Sequence, residues 1–458
     1  MEISKKDWTL TLFLVVLAIQ GILLLTSAPT FSYLMDDWEY HETFASVSGL
    51  LVSLSSEIIR FFELGRFTPV KVLYDGIKWT FLPWNPYAFV VVNLAVVFLV
   101  ASVLARLFPD DRHKSSDKPV QQRPFLVFLI LLLSQLPFLQ ITRLNSVGEG
   151  LLCIWILLGF SFLKRKQLIK SGCFFVLAAL TKEPGTMGFF AASYFLWKQR
   201  QTKHAVSFLL SGLCLVVLFW WIKSRGTYLA HYGKSTEVFL ENARLMALRL
   251  GLGFFPFCGF IFLSQSLSQA RKTTPLESAL LFFSALYGAC LIPLSVAHYL
   301  LPPVVIGPLY WVGARVIRGR YFRGMAILYL LSLTFVTVRF VQFCRAQAEV
   351  SVFVPALREK ISSTNDDLWI LNAPELVIYL KKALPSYQTK IVYSGNPDSL
   401  GESFVSTRRH KTIHVIEFIY HFGPIDKATL LPGKWNPEKT VFESEKPGIW
   451  RWTGYVIK

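Results

Sequence analysis

Four ionisable side chains lie together in one short segment near the N-terminus: Asp36, Asp37, Glu39 and His41. Carboxylates accept protons and bind hard divalent cations, and an imidazole can do both. Such a cluster suits a general base that deprotonates a hydroxyl, or a metal site. The alternative is a solvated acidic loop, because loops carry incidental charge as well as function. We take Asp36 and Asp37 as the candidate catalytic pair.

A second charged segment, 181–185 with the sequence TKEPG, joins two short apolar runs. Ionisable residues next to apolar runs often mark a substrate path, and the ammonium of Lys182 suits an anionic group such as phosphate. The competing interpretation is an exposed helical turn in which Lys182 and Glu183 are only solvated. The sequence leaves both open.

Arg143 and Glu149 occupy a connection between two other apolar runs. Glu149 stands close to where a helix should begin, and an acid there complements the helix dipole, so capping is its simpler role. Five basic residues in other connections could add positive charge to the site. A basic residue in such a position is more often solvated or anchors a helix at the membrane interface. The five residues are Arg66, Lys71, Lys78, His231 and His298.

The chain that carries these residues is strongly apolar, with 53% hydrophobic and 15% aromatic residues in a length of 458. This exceeds the usual composition of a soluble domain. The net charge of +18 comes in short clusters between apolar runs rather than along one soluble face, which argues against nucleic acid as a partner. The common nucleotide, zinc-protease and nucleophile-elbow motifs are missing.

Apolar runs long enough to cross a membrane predict about eleven helical spans, several of them short. Lysine and arginine accumulate in every second connection, and the positive-inside rule assigns those connections to the cytoplasm. The N-terminus is then cytoplasmic, and the acidic cluster, the TKEPG turn and the C-terminus are exoplasmic. The predicted spans are 8–26, 87–108, 125–141, 151–163, 173–180, 186–197, 205–222, 248–263, 276–294, 299–314 and 325–341.

Two regions differ from the spans. The first exoplasmic loop, 28–86, carries apolar residues at helical spacing among charges in 44–64 and 70–81, which predicts helices along the membrane surface. The tail loses lipid-length runs and alternates strand-like and helical segments, so we predict a small α/β domain. Its predicted strands are 368–371, 390–393 and 412–418, with a helix at 375–383. The predicted fold is therefore a mainly α, polytopic membrane domain at 1–344, followed by a soluble exoplasmic domain at 345–458.

Three motifs in this order resemble the GT-C superfamily of polytopic glycosyltransferases, especially the protein O-mannosyltransferase and aminoarabinose transferase branch. The pair Asp36-Asp37 is similar to the acidic pair of that family's first exoplasmic loop. Segment 181–183 is similar to its lysine motif, and segment 298–302, HYLLP, to its tyrosine–proline motif. The resemblance covers roughly residues 8–303.

The chain departs from the family pattern at three positions. Asp37 stands where glutamate is commoner, His298 where arginine often precedes the tyrosine, and Glu149 where aspartate is frequent. Because of these departures, the resemblance extends to the superfamily and does not determine the branch, the sugar donor or the metal dependence.

The resemblance implies transfer of a hexosyl or pentosyl group from a polyprenyl-phosphate carrier to an acceptor hydroxyl, with inversion. The acceptor is a glycan, lipid or protein, and the reaction faces the periplasm from a bacterial cytoplasmic membrane as part of cell-envelope glycosylation. Asp36 is the implied base, with Asp37 beside it. The implied phosphate ligands are Lys182, Arg143, Arg66 and His298, other pocket candidates are His41, Glu149, Glu183 and Tyr299, and Asp37, His41 and Glu149 are candidate ligands for a divalent metal ion. No other cofactor is implied.

Two other classes of protein remain open from the sequence. A transporter or flippase of lipid-linked saccharides would place charges inside its spans and break helices near the membrane midplane. An assembly protein whose tail binds a partner would leave Asp36 and Lys182 without a function. Convergence of Asp36, Glu149 and Lys182 on one exoplasmic cavity would favour the glycosyltransferase.

Overall fold

The structure is a computed structural model. It describes residues 49–82, 86–108, 122–133, 148–226, 273–291, 301–318, 355–363, 368–371, 383–393, 413–420, 439–443 and 450–457, together with isolated positions between them. This part of the chain is mainly helical and ends in a small sheet, in agreement with the predicted class. The predicted spans 8–26, 248–263 and 325–341 lie largely or wholly outside it.

Two amphipathic helices occupy the predicted first exoplasmic loop, α1 (Leu50–Glu63) and α2 (Pro69–Phe81). Proline at the first position of α2 suits a helix start, because its missing N–H would have no partner there. Each helix buries one face, with Phe61 and Trp79 among the buried side chains. Both predicted helices of this loop are confirmed.

The apolar part of the chain forms a bundle whose described helices all fall within predicted spans or overlap them. Aromatic rings fill its centre, with Phe175 of one helix 5.3 Å from Phe160 and 5.6 Å from Phe189 between ring centroids. In chain order the helices are α3 (Pro86–Leu107), α4 (Gln122–Leu133), α5 (Glu149–Lys164), α6 (Leu168–Thr181), α7 (Met187–Lys198), α8 (Thr202–Arg225) and α9 (Pro275–Leu291).

A last helical run joins α10 (Leu301–Val304), a π-helical turn (Val305–Leu309) and α11 (Tyr310–Arg318). Pro308 lies inside the π-helical turn, and a proline cannot supply the N–H that a regular helix needs there. The start of α9 is fixed by a capping box, in which the Thr274 backbone N–H donates to Glu277 and the Glu277 backbone N–H donates to the Thr274 hydroxyl.

Two described helices are long and apolar enough to cross a membrane, the 88–107 part of α3 and the whole of α8. Helix α8 leaves many apolar side chains exposed, including Val217 and Trp220. Exposing such an apolar surface to water is unfavourable, whereas contact with lipid chains is favourable. The total number of spans and their orientation remain predictions.

The bundle has two distinguishable ends. The Leu107 end holds the last residue of α3, whose carbonyl accepts hydrogen bonds from Lys164 Nζ at 3.2 Å and from the Tyr310 hydroxyl at 3.1 Å. The opposite Glu149 end holds the first residue of α5 and the residues that follow α6 and α8. Because α5 to α8 form consecutive antiparallel hairpins, the basic turns 165–167 and 199–201 both lie at the Leu107 end.

The C-terminal residues form a five-stranded sheet in the order β2-β1-β3-β5-β4, in which β1 is parallel to β2 and β3 while β5 is antiparallel to β3 and β4. The three predicted strands are present, whereas β4 and β5 were missed. Trp369 and Ile391 belong to the same apolar cluster as Phe61 and Trp79 of the first-loop helices. The strands are β1 (Leu368–Leu371), β2 (Ile391–Tyr393), β3 (Ile413–Tyr420), β4 (Lys439–Glu443) and β5 (Trp450–Ile457).

The clustering of basic turns at the Leu107 end predicts that this end faces the cytoplasm. Alkaline phosphatase is active only where its disulfides form, outside the cytoplasm. We expect activity when it is fused after Lys458 and no activity when it is inserted near Ser116 or Arg320. An inactive C-terminal fusion, with the protein present in the membrane, would contradict this orientation.

Candidate active site

The centre of the candidate site is a buried ion pair between Lys182 and Glu149 at the Glu149 end of the bundle. Lys182 follows the last residue of α6 and is 7% exposed, while Glu149 is the first residue of α5 and is 1% exposed. Lys182 donates a hydrogen bond to Glu149 Oε1. The solvated-turn interpretation of Lys182 is therefore wrong. Glu149 lies in the first turn of α5, where an acid complements the helix dipole, but it makes no capping hydrogen bond and pairs with Lys182 instead.

The TKEPG turn holds Lys182 in this place. Lys182 has extended backbone angles, and a 3₁₀ turn (Glu183–Thr186) follows it, closed by a hydrogen bond of 2.8 Å from the Gly185 N–H to the Lys182 carbonyl. Gly185 packs directly on the Ala178 backbone, where a Cβ would overlap the carbonyl. Proline at position 184 supports the break between α6 and α7, because it cannot donate a helical hydrogen bond.

The first-loop helix α2 adds a second ion pair beside the first. Lys71 Nζ donates to Asp75 Oδ2 at 2.7 Å, and the Asp75 side chain is fully buried. The stem of Lys71 lies over the start of α5 and the end of α6, because a Cβ built on Gly148 would be 3.4 Å from both Lys71 Cγ and Thr181 Cγ2. Among the described residues, Asp75 Oδ1 has no hydrogen-bond partner, so it is an acceptor available to a ligand hydroxyl or a water.

Arg66 reaches the same end of the bundle from the connection between α1 and α2. Helix α1 ends in a Schellman motif, with the Gly65 N–H donating to the Phe62 carbonyl and the Arg66 N–H to the Phe61 carbonyl. Gly65 has a φ of +84° and touches Gly226, which follows α8, so that no side chain fits between the two segments. Arg66 Nε then lies 3.7 Å from Glu183 Oε1.

The pKa of Lys182 is lowered from 10.5 to about 8. Burial is the main cause, Glu149 acts in the opposite direction, and the nearby Arg66 and Lys71 charges add smaller lowering effects. Lys182 therefore carries its proton at neutral pH and loses it a little above. The described cluster contains three ion pairs: Lys182–Glu149, Lys71–Asp75 and Arg66–Glu183.

The structure brings together five of the residues that the sequence singled out: Arg66, Lys71, Glu149, Lys182 and Glu183. The sequence analysis missed Asp75. Asp75 could have been found from its spacing: it follows Lys71 by four residues on a predicted amphipathic helix, and this spacing places an acid and a base on one helix face. Seven further candidates lie outside the described residues: Asp36, Asp37, His41, Arg143, His231, His298 and Tyr299.

A metal ion does not fit the described part of this site. Within the described ranges, no three histidine, cysteine, aspartate or glutamate side chains are grouped so as to hold one. Of the candidate ligands Asp37, His41 and Glu149, only Glu149 is described, and its carboxylate already faces the Lys182 ammonium, which repels a cation.

Comparison with known proteins gives one structural likeness. The chain aligns with the crystal structure of ArnT from Cupriavidus metallidurans bound to undecaprenyl phosphate over 98% of each chain, with a TM-score of 0.48 and 12% identity. Similarity at this level assigns neither a fold family nor an activity to this chain. No protein-family model and no curated protein sequence matches it.

The tight contact at Gly185 predicts that Gly185→Ala destabilises the protein by about 1–3 kcal/mol, because the added methyl group must push the turn away from Ala178. Gly172→Ala is the matched control: Gly172 lies in α6 with open space around its Cβ position, so the change should be neutral or stabilise by up to about 1 kcal/mol. Thermal unfolding of both variants in the same detergent measures the difference. Equal unfolding temperatures would contradict the packing described for the TKEPG turn.

Proposed function

We propose that the protein is a membrane glycosyltransferase that moves a sugar from a polyprenyl-phosphate carrier to an acceptor hydroxyl, with inversion at the anomeric carbon. The observation that supports this most is the location of its buried and half-buried ion pairs. Lys182–Glu149, Lys71–Asp75 and Arg66–Glu183 gather at one end of an apolar bundle, beneath two amphipathic helices. A lipid carrier presents its phosphate at this level, with its chain among the helices and its sugar toward the first-loop helices.

In the proposed reaction, the acceptor hydroxyl oxygen attacks the anomeric carbon from the side opposite the phosphate. The new carbon–oxygen bond forms as the bond to the phosphate oxygen breaks, and the hydroxyl proton passes to Asp36. Asp37 orients Asp36 or the acceptor. The products are the inverted glycoside and the free polyprenyl phosphate, so no nucleotide is consumed.

The leaving phosphate gains negative charge during this step, and a preorganised cation lowers the barrier most where charge develops. Lys182 suits this role because it is held in place by Glu149 and is protonated at neutral pH. Arg66 and Lys71 add positive charge beside it. Asp75, with a carboxylate oxygen available in the described part of the site, suits a hydrogen bond from a sugar hydroxyl.

A transporter or flippase is the alternative, and the described helices offer it little support. In the bundle helices α3 to α9 the charged residues lie in the first or last turns, as Glu149 and Lys164 do in α5, and α3 carries no charge before Arg106. A transporter of charged lipids would place ionisable groups near the membrane midplane. We propose the same polytopic arrangement as the sequence predicts: about eleven spans, a cytoplasmic N-terminus, and the site on the periplasmic face of a bacterial membrane.

The proposal predicts that Asp36→Asn folds normally and binds the donor, yet transfers sugar about a hundredfold to ten-thousandfold more slowly, because the general base is lost. Asp37→Asn should have a smaller effect. Purified protein in lipid is incubated with a panel of polyprenyl-phosphate sugars, and release of polyprenyl phosphate is measured.

Glu63→Gln is the control, since Glu63 is an exposed acid at the end of α1 and should retain wild-type turnover. If Asp37→Asn abolishes release while Asp36→Asn retains it, the two roles are exchanged. If both aspartate variants turn over at the wild-type rate on every donor that the wild type uses, the mechanism is wrong.

A further inference from the structure

Two turns at the Leu107 end of the bundle share one backbone design. After α5, the Lys166 N–H donates to the Leu163 carbonyl and the Gln167 N–H to the Phe162 carbonyl; after α7, Arg200 and Gln201 make the equivalent bonds. Both turns are Schellman motifs, and in each the residue with left-handed backbone angles is a cation, Lys166 or Arg200, with a φ of 61°. Glycine usually occupies that position, because it has no Cβ to strain.

The side chains of these two turns line one open cavity of about 580 Å³ between the hairpins. Among the described residues, its lining includes Lys166, Arg200, Lys203 and His204, and no acid. The first backbone N–H groups of α6 and α8, which have no helical acceptors, are at the same level and favour an anion. From 150 to 236 the only acid in the sequence is Glu183, at the opposite end of the bundle. The cavity is therefore strongly cationic.

The surface beside the cavity is apolar. Ile169, in the first turn of α6, is 85% exposed and Trp197, in the last turn of α7, is 58% exposed. Farther along α8, Val206 and Leu210 are also exposed. A cation-lined cavity next to exposed apolar side chains matches the boundary between lipid headgroups and acyl chains, where basic residues meet phosphate.

We propose that this cavity binds the phosphate of an anionic phospholipid, with Lys166, Arg200 and Lys203 around the headgroup and the acyl chains along α8. The site is separate from the proposed sugar-transfer site, which lies at the other end of the same helices. It does not depend on the proposed function.

The test compares binding of phosphatidylglycerol and phosphatidylcholine to the purified full-length chain by native mass spectrometry. The wild type should retain phosphatidylglycerol in preference to phosphatidylcholine. The double variant Lys166→Asn with Arg200→Asn should bind it about 25-fold more weakly, at roughly fivefold for each cation near an anionic lipid. Asparagine tolerates left-handed backbone angles, so both turns should be kept.

The matched control is Arg165→Gln with Lys198→Gln, which removes two charges from the same hairpins outside the cavity lining. It should keep wild-type affinity. Lys203→Gln, on the first turn of α8, provides a second cavity variant should the double variant unfold; it should bind about fivefold more weakly. Equal losses in the cavity and control variants would mean diffuse attraction and overturn the site, as would equal binding of the two lipids. Displacement of the lipid by millimolar inorganic phosphate would identify the ligand as free phosphate and overturn the lipid assignment.

Discussion

A charge buried among apolar helices must be neutralised by a partner, and the ion pair between Lys182 and Glu149 is where this constraint acts on the molecule. Removing one member of such a pair typically costs about 3–5 kcal/mol, because the other charge remains buried and unpaired. The pair joins the start of α5 to the end of α6, so it also fixes the position of the TKEPG turn along the bundle axis. The ion pairs Lys71–Asp75 and Arg66–Glu183 lie beside these two side chains.

The first-loop helices α1 and α2 complete the site, because the connection between them carries Arg66 to the Glu149 end of the bundle. The Schellman motif of α1 and the close approach of Gly65 to Gly226 fix the position of Arg66, and α2 then places Lys71 and Asp75 over the same helix ends. The result is a group of three ion pairs at the Glu149 end of the bundle, whereas the described turns at the Leu107 end bring Lys166 and Arg200 to one cavity. The proposed sugar-transfer site and the proposed phospholipid site therefore lie at opposite ends of the same helices.

Much of this arrangement follows from the sequence. Apolar runs predicted the bundle helices, amphipathic spacing predicted α1 and α2, and Lys182 and Glu149 were both selected before their contact was known. The role of Asp75 was missed because its burial depends on how α2 packs against α6, which sequence spacing does not reveal. Strand β5 was missed because it pairs with β3, which is distant in the chain, and β4 was missed with it because it pairs with β5; strand formation depends on such partners more than on local propensity.

The central claim is that the charge of the buried Lys182 holds the donor phosphate. The most direct test measures binding of a polyprenyl-phosphate sugar, whose phosphodiester keeps one negative charge, from about pH 6 to pH 10. The pKa of Lys182 is lowered to about 8, so wild-type binding should be strong below that pH and fall as the pH rises through it. Lys182→Arg should bind without this midpoint, because a guanidinium stays charged. Wild-type binding that does not change across this range, or that falls identically in Lys182→Arg, would contradict the account.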